Sequence, residues 1–428
     1  MTGSPASAAI PIEHWTHSSG ARVYLVSSPS IPMLDVQVDF DGGSRRDPAR
    51  QAGLASVTAG LLSDGLAAQG GQPALDENQL SEAWVDLGAQ FGAQAGADRF
   101  TVSLRSLTEP DLLERAVALA TRQLAASAWP ERVWQRDRER MLASLREAET
   151  RPATHAGRAF ARAVYGGHPY GQQADAASLQ AIGVADMKAF FVRHVVACRA
   201  QVTMVGAIDR ARADRIVGRL MAAVQPHGCT TLPEVPQVAA LTRAVEERLP
   251  FQAAQAQVLI GQPGIARDHP DFFPLFVGNY ILGGGGFVSR LTTEVREKRG
   301  LSYSVYSYFS PGRHAGAFQI GLTTRPDQAA QAVDVTREVV RNFVSQGPTE
   351  AELQAAKDFL VNGFALRIDS NRKLLDNVAN IAWNGLPLNY LDTWTDRVRR
   401  VSVDDVRRAF AQAIQPERMV TVVVGAKP

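Results

Sequence analysis

Residues 283–303 read GGGGFVSRLTTEVREKRGLSY, and the interpretation of the whole chain starts from this stretch. Phe287, Leu291 and Val295 recur at four-residue spacing, which is typical of the apolar stripe of a helix. The solvated faces of this predicted helix carry four charged residues, Arg290, Glu294, Glu297 and Lys298.

The helix is predicted to stop at Gly300, because glycine adopts the left-handed cap conformation without steric cost. Residues 301–306 then alternate between apolar and polar side chains as in a strand. Arg296 would lie near the helix end and Tyr303 would enter the strand after a tight turn, so both side chains could point into one cleft. On spacing alone, a solvated arginine and a packing tyrosine are the ordinary interpretation.

Nucleotide binding is not supported by the four glycines. A phosphate loop needs a following Gly-Lys-Ser/Thr, and a dinucleotide fold needs Gly-x-Gly-x-x-Gly; Phe287 and Val288 follow Gly286 instead.

Composition indicates a globular protein and excludes several functional classes. The chain has 428 residues, enough for two or three domains, with 45% hydrophobic and 21% charged residues. A net charge of +2 and the lack of a basic run with interleaved aromatics argue against nucleic-acid binding. No apolar run reaches the roughly 20 residues that span a bilayer. A soluble protein is expected.

Cysteine and histidine usage does not predict a metal site. Cys198 and Cys229 match no zinc motif and are too few for a disulfide framework, so buried free thiols are expected. None of the eight histidines forms a His-x-x-x-His or His-x-x-Glu-His pair.

The first residues, MTGSPASAAIPIEHW, lack the charged start and apolar core of a signal peptide. The small residues 6–9 resemble the surroundings of a cleavage site. A periplasmic location after signal removal is favoured over a cytoplasmic one.

The two halves of the chain repeat each other. Residues 202–207 (VTMVGA) reappear 219 positions later as 421–426 (TVVVGA), and 184–187 (VADM) reappear at the same offset as 403–406 (VDDV). Residues 102–104 match 320–322 at an offset of 218. A period this long indicates two similar domains rather than a solenoid.

The predicted fold is α+β, because strands come in pairs around helical runs rather than alternating with helices. Each repeat would hold a mostly antiparallel or mixed sheet with helices packed on one face. The N-terminal repeat domain is placed at residues 1–224 and the C-terminal repeat domain at 241–428. The proline-rich segment 225–240 would be a linker and possible hinge.

The chain resembles the pitrilysin/insulinase family of inverted zinc metallopeptidases, in its bacterial branch related to mitochondrial processing peptidase. The resemblance is carried by residues 36–44 (VQVDFDGGS), 53–55 (GLA), 168–171 (HPYG) and 296–303 (REKRGLSY), and by the repeat. It implies two repeat domains forming half of a clamshell. It also implies that Arg296 and Tyr303, seven residues apart in the second half, reach an active site formed by a first half.

The zinc motif of that family is missing. After residues 53–55 the family places His-x-x-Glu-His, whose histidines bind zinc and whose glutamate activates water. Ser56, Ala59 and Gly60 stand at those positions. The third ligand, a glutamate, is expected near residues 143–144, where Ala and Ser stand; the nearest carboxylates are Glu139 and Glu147. The chain is therefore expected to hold no metal and to be inactive alone.

The resemblance implies a non-catalytic subunit of a heteromeric zinc endopeptidase. Arg296 and Tyr303 would act in the active site of a homologous, zinc-bearing partner that cuts peptides or unfolded protein segments. Two alternatives stay open: a scaffold subunit, as in relatives that belong to a respiratory complex, and a stand-alone module that binds peptides by sheet-edge pairing.

Overall fold

The computed structural model describes residues 10–224 and 229–426 and contains two separate mixed sheets. The strands of the first sheet are β1 (Glu13–Thr16), β2 (Arg22–Ser27), β3 (Met33–Phe40), β4 (Gln90–Ala95), β5 (Phe100–Leu107) and β6 (Gln201–Gly206). They lie side by side in the order β1-β2-β6-β3-β5-β4, with β2 and β6 parallel and the other neighbours antiparallel.

The second sheet repeats this topology without the first strand. Its strands are β7 (Val245–Leu249), β8 (Ala256–Pro263), β9 (Val305–Phe309), β10 (Ala317–Thr324) and β11 (Val420–Val424). Their order is β7-β11-β8-β10-β9, with β7 and β11 parallel. β6 and β11, matched by the sequence repeat, occupy equivalent places, as do β5 and β10. The prediction of two α+β repeats is confirmed.

Helices surround both sheets. The first half of the chain contains α1 (Leu54–Leu61), α2 (Glu77–Asp86), α3 (Pro110–Ala125), α4 (Glu131–Ala148), α5 (Pro152–Tyr165), α6 (Ala176–Gln180), α7 (Val184–His194) and α8 (Arg210–Ala222). The second half contains α9 (Phe272–Asn279), α10 (Ala329–Gln346), α11 (Glu350–Asn362), α12 (Asn371–Asn384), α13 (Tyr390–Arg400) and α14 (Val403–Ala413). Among the described helices, none combines the length and the hydropathy needed to cross a membrane.

One helix of each half packs on the sheet of the other half. α5 lies against β8 and β11, where Ala156 and Phe160 share an apolar cluster with Leu259 and Val422. α12 lies against β6 and β3 of the first sheet. Pro152 and Asn371, the first residues of these helices, are 219 positions apart, so the exchanged helices are equivalents in the repeat. The sequence prediction places the helices on one face of each sheet and does not include this exchange of helices between the halves.

Because of this exchange, the compact units are not continuous in sequence. Among the described residues, the first unit combines 10–143, 174–224, 229–234 and 365–392, and the second combines 144–173, 235–364 and 393–426. The predicted domains, 1–224 and 241–428, describe the sequence repeats, and their limits stay a prediction. Residues 6–9 and part of the predicted linker, 225–228, lie outside the described residues.

Cys198 and Cys229 form a disulfide within the first unit, so the expectation of free thiols is wrong. Their Cα atoms are 6.1 Å apart, within the usual range for a disulfide. The two residues are separated by 31 positions, and only the folded chain brings them together. Cys198 lies just before β6, and Cys229 is the first described residue of the predicted linker.

Candidate functional site

The helix that carries Arg296 is shorter than predicted and mostly of the π type. The chain becomes helical at Arg290, and residues 292–297 form a π-helix. Leu291 and Val295 are fully buried, as expected for the apolar stripe. Phe287 lies before the helix and is 71% exposed, so its assignment to the stripe is wrong. Single π turns are rare and occur often at functional sites.

Two glycines of the quoted stretch have identifiable structural roles. Gly300 has a φ of +62°, donates a hydrogen bond to the carbonyl of Arg296 at 2.9 Å and ends the helix as predicted. A Cβ atom at Gly283 would lie 2.4 Å from Oγ of Ser307, so glycine is required where this segment packs on β9. Gly283 therefore allows the backbone of the glycine run to pack closely on β9.

Arg296 and Tyr303 line one cleft of about 320 Å³ in the second unit. The Arg296 guanidinium lies 4.7 Å from the ring centre of Phe287, and its Nε is 3.4 Å from a carboxylate oxygen of Glu297. Tyr303 is 80% exposed and lies in a bend two residues before β9, which corrects its placement in the strand. The same cleft therefore offers a cation and a phenol hydroxyl to an incoming polar group.

Sequence reasoning missed further polar side chains at this cleft. Arg325, Gln255 and Gln328 also line it. Arg325 follows β10 directly and pairs with Asp327 through two hydrogen bonds of 3.1 and 2.6 Å. The cleft is consequently rich in hydrogen-bond donors that suit peptide carbonyl or carboxylate oxygens.

Arg290 holds the Arg296 helix in place. The prediction that Arg290 lies on a solvated face of this helix is wrong, because its side chain is only 22% exposed. Its Nε and Nη2 each donate to a carboxylate oxygen of Glu352 at 2.7 Å, and Nη2 also donates to the carbonyl of Gly347 at 3.1 Å. The hydrogen bonds that Arg290 donates to Glu352 lower the pKa of this carboxyl group to about 2. Glu352 also completes the capping box of α11 with Thr349. The Thr-x-x-Glu pattern at residues 349–352 is a sequence signal for the capping box but not for the contact between Glu352 and Arg290.

The HPYG segment lies in the second unit and has a structural role. His168 Nε2 lies 2.9 Å from the carbonyl of Pro236, and its Nδ1 accepts a hydrogen bond from the amide of Tyr170. The hydroxyl of Tyr170 accepts a hydrogen bond from the amide of His314 at 3.1 Å. These contacts fasten the second part of the predicted linker to the second unit.

The positions of the missing zinc motif lie on α1, in the first unit. Ser56 and Gly60 are exposed and one helical turn apart, whereas Ala59 is 1% exposed. A Cβ atom added to Gly60 would meet no atom within 4 Å, so the surface is open at that point. The side chains of Ser56, Ala59 and Gly60 end in a hydroxyl, a methyl group and a hydrogen atom. None of them can replace the imidazole or carboxylate groups of the family's zinc motif.

The expected position of the third ligand is equally unsuited. Ala143 and Ser144 are exposed residues of α4. Glu139 and Glu147 are exposed as well, and Glu147 pairs with Arg151. Within residues 10–224 and 229–426, no group of three or more His, Cys, Asp or Glu side chains could hold a metal ion.

Asp47 stabilises the start of α1. Its carboxylate accepts hydrogen bonds from the amides of Gly53 at 2.8 Å and Ala55 at 2.9 Å. Gly53 has a φ of +102°, a conformation that a residue with a side chain rarely adopts. Burial raises the pKa of Asp47 to about 6, against the effect of the backbone hydrogen bonds. The start of α1 is therefore fixed by Asp47, although the helix carries no zinc ligands at positions 56 and 60.

Comparisons with known proteins show which family the chain belongs to. The model of the family described as peptidase M16 inactive domain matches residues 181–360. A crystal structure of a peptidase M16 inactive domain from Pseudomonas fluorescens is 31% identical, with a TM-score of 0.91, over 97% of this chain and 98% of that chain. The chain belongs to the peptidase M16 inactive-domain family.

One more relative and one more solved structure extend the comparison. A protein of Helicobacter pylori named non-peptidase homolog YmxG is 26% identical, over 88% of this chain and 85% of its own. The structure of the periplasmic protease PqqL of Escherichia coli shares the fold, with a TM-score of 0.83 and 18% identity. This chain spans 46% of PqqL.

Proposed function

We propose that the chain is the non-catalytic subunit of a heteromeric zinc endopeptidase. Its contribution would be the pair Arg296 and Tyr303, supplied to the zinc site of a homologous partner. The observation that carries the proposal is the combination of an open, donor-lined cleft at these two residues with an α1 that offers no zinc ligands.

The chemistry proposed for the cleft is binding and charge stabilisation. When a peptide bond is attacked, its carbonyl oxygen gains negative charge, which a positioned guanidinium and hydroxyl stabilise. Arg296 is suited to this because its charge is permanent and its donors form a planar fork. Tyr303 would donate its phenol proton in a hydrogen bond to the same oxygen or to a neighbouring substrate carbonyl. The zinc and the base that activates water would both come from the partner.

The disulfide supports an extracytoplasmic location. Disulfides form and persist in oxidising compartments and are rare in the cytosol. Cys198 and Cys229 are bonded to each other within one unit. We therefore place the subunit in the periplasm, in keeping with the periplasmic neighbour of similar fold.

The test is reconstitution with a homologous chain that carries His-x-x-Glu-His. Co-expressed chains should elute together by size exclusion, and the complex should cleave unfolded peptides while this chain alone does not. Tyr303→Phe and Arg296→Ala should each lower kcat/KM by on the order of 10²–10³, the usual cost of losing one such donor. Assembly and the zinc content of the partner should be unchanged.

Matched controls separate this role from a structural one. Arg299 lies three residues from Arg296 but pairs with Glu294 at 2.7 Å and does not line the cleft. Tyr308 lies on β9, also outside the cleft. Arg299→Ala and Tyr308→Phe should retain the parent activity. If the Arg296 and Tyr303 variants assemble and cleave within about twofold of the parent, the proposal is refuted. A complex that assembles without any peptidase activity would favour a scaffold subunit.

A further inference from the structure

A second cavity, of about 160 Å³, lies in the first unit, away from Arg296 and Tyr303. It opens on the sheet face that α12 partly covers, and residues of β3, β4, β5 and α12 form its walls. The polar side chains that line it include Asp35, Gln90, Gln94, Ser103, Arg372 and Asp376.

Asp35 is a buried carboxylate with one oxygen that lacks a hydrogen-bond partner. The residue is 3% exposed, and its Oδ2 has no hydrogen-bond partner among the described residues. Its Oδ1 lies 3.6 Å from Nη1 of Arg105, an ion-pair distance too long for a hydrogen bond. Burial is the largest influence on its pKa, which is raised. A buried carboxylate oxygen without a donor is costly, so a bound molecule that donates a hydrogen bond to Oδ2 would be stabilised here.

The rim of the cavity adds charges of both signs. Arg372 and Asp376 lie one turn apart on α12, and both are exposed. Neither forms a close ion pair within the described part of the chain, although both act electrostatically on the cavity. A simple cation would be repelled by Arg105 and Arg372, and a simple anion by Asp35 and Asp376. A molecule that carries both charges avoids both penalties.

We propose that this cavity binds a small α-amino acid in its zwitterionic form. The ammonium group would donate to Asp35 and Asp376, and the carboxylate would face Arg372. A protein cavity of about 150 Å³ holds benzene, which has six non-hydrogen atoms, and alanine has the same number. The amides of Gln90 and Gln94 add neutral hydrogen-bonding groups beside the ligand. This site is independent of the proposed peptidase role.

The test is calorimetric titration of the full chain with L-alanine at neutral pH and low salt. Saturable binding at one site per chain is expected. N-acetylalanine, which lacks the ammonium charge, and alaninamide, which lacks the carboxylate, should each bind at least tenfold more weakly. Equal binding of alanine and alaninamide would mean that the site selects a cation only, and it would overturn the proposal. Absence of alanine binding up to tens of millimolar would overturn it as well.

Variants connect the binding to the cavity. Asp35→Asn should weaken alanine binding at least tenfold, and the melting temperature shows whether the variant is folded. Arg372→Gln and Asp376→Asn change exposed positions, so they keep the test decisive if the Asp35 variant does not fold. Lys373→Gln is the matched control, because Lys373 lies on the same helix, pairs with Asp369 and does not line the cavity. Alanine binding that survives both the Arg372 and Asp376 changes would contradict the assignment.

Discussion

Replacing Glu352 by glutamine should destabilise the second unit, because it breaks the bidentate contact that holds the Arg296 helix. Glu352 accepts two hydrogen bonds of 2.7 Å from Arg290, and it accepts further ones from the amide and hydroxyl of Thr349 at the start of α11. A glutamine retains the shape but loses the charge and one acceptor. Arg290, whose side chain is 22% exposed, would keep its charge without the matching carboxylate.

The magnitude follows from the pKa of Glu352, which falls from 4.5 to about 2. A shift of this size corresponds to about 3 kcal/mol, since one pKa unit is worth about 1.4 kcal/mol. The Glu352 side chain is 32% exposed, and solvent screening reduces that value. We expect a loss of about 1–2 kcal/mol in the free energy of unfolding at pH 7.

The pH dependence has a definite sign. Because the folded-state pKa is depressed, the stabilisation is fully present above the unfolded-state pKa near 4.5 and is lost as the pH falls towards 2. The difference between the parent and Glu352→Gln should therefore be largest at neutral pH and should shrink at pH values near 3.

The measurement is urea denaturation of both proteins at pH 7 and near pH 3. Glu350→Gln is the matched control, since Glu350 is an exposed acid in the same first helical turn. A double-mutant cycle with Arg290→Gln isolates the pair. A coupling free energy below about 0.5 kcal/mol at pH 7, within the range of an ordinary surface pair, would refute the reasoning.

Three further predictions concern the first unit. Gly60→Ala should raise the free energy of unfolding by about 0.5–1 kcal/mol in thermal or urea denaturation, because Gly60 lies in α1 with open space around it; a loss of stability would contradict this. Burial lowers the pKa of His194 from 6.5 to about 4. Between pH 7 and pH 4 the parent should therefore lose up to about 3 kcal/mol more than His194→Asn, and equal losses would show that His194 titrates normally. Replacing Cys198 and Cys229 together by serine should cost about 2–4 kcal/mol, and a reductant should then destabilise the parent but not the variant.

The parts of the fold that sequence could predict are those that depend on local pattern. The strand VTMVGA at 202–207 and its copy at 421–426 identified the repeat, and both occupy the same place in their sheets. Leu291 and Val295 are buried as their spacing predicts, and Gly300 ends the helix with a positive φ. The placement of Arg296 and Tyr303 at one cleft also follows from this local pattern.

The parts that sequence could not predict depend on contacts between distant residues. Phe287 keeps the four-residue spacing of the stripe, yet it lies outside the helix, since the chain turns at Gly286 and winds as a π-helix after Leu291. The Arg290–Glu352 contact joins residues 62 positions apart, and either side chain alone looks like an ordinary surface charge. The Cys198–Cys229 bond depends likewise on tertiary structure.

The exchange of α5 and α12 has a consequence for biosynthesis and ancestry. The first sheet is complete at β6, but its covering helix ends only at Asn384, so the ribosome must make nearly the whole chain before that unit can close. Such long-range dependence slows folding and leaves an apolar surface for chaperones to shield. A single ancestral repeat would have obtained this helix from a second copy, in the manner of a domain-swapped dimer. Gene fusion of two such copies would produce the present arrangement, in which each sheet receives one packing helix from the other half of the chain.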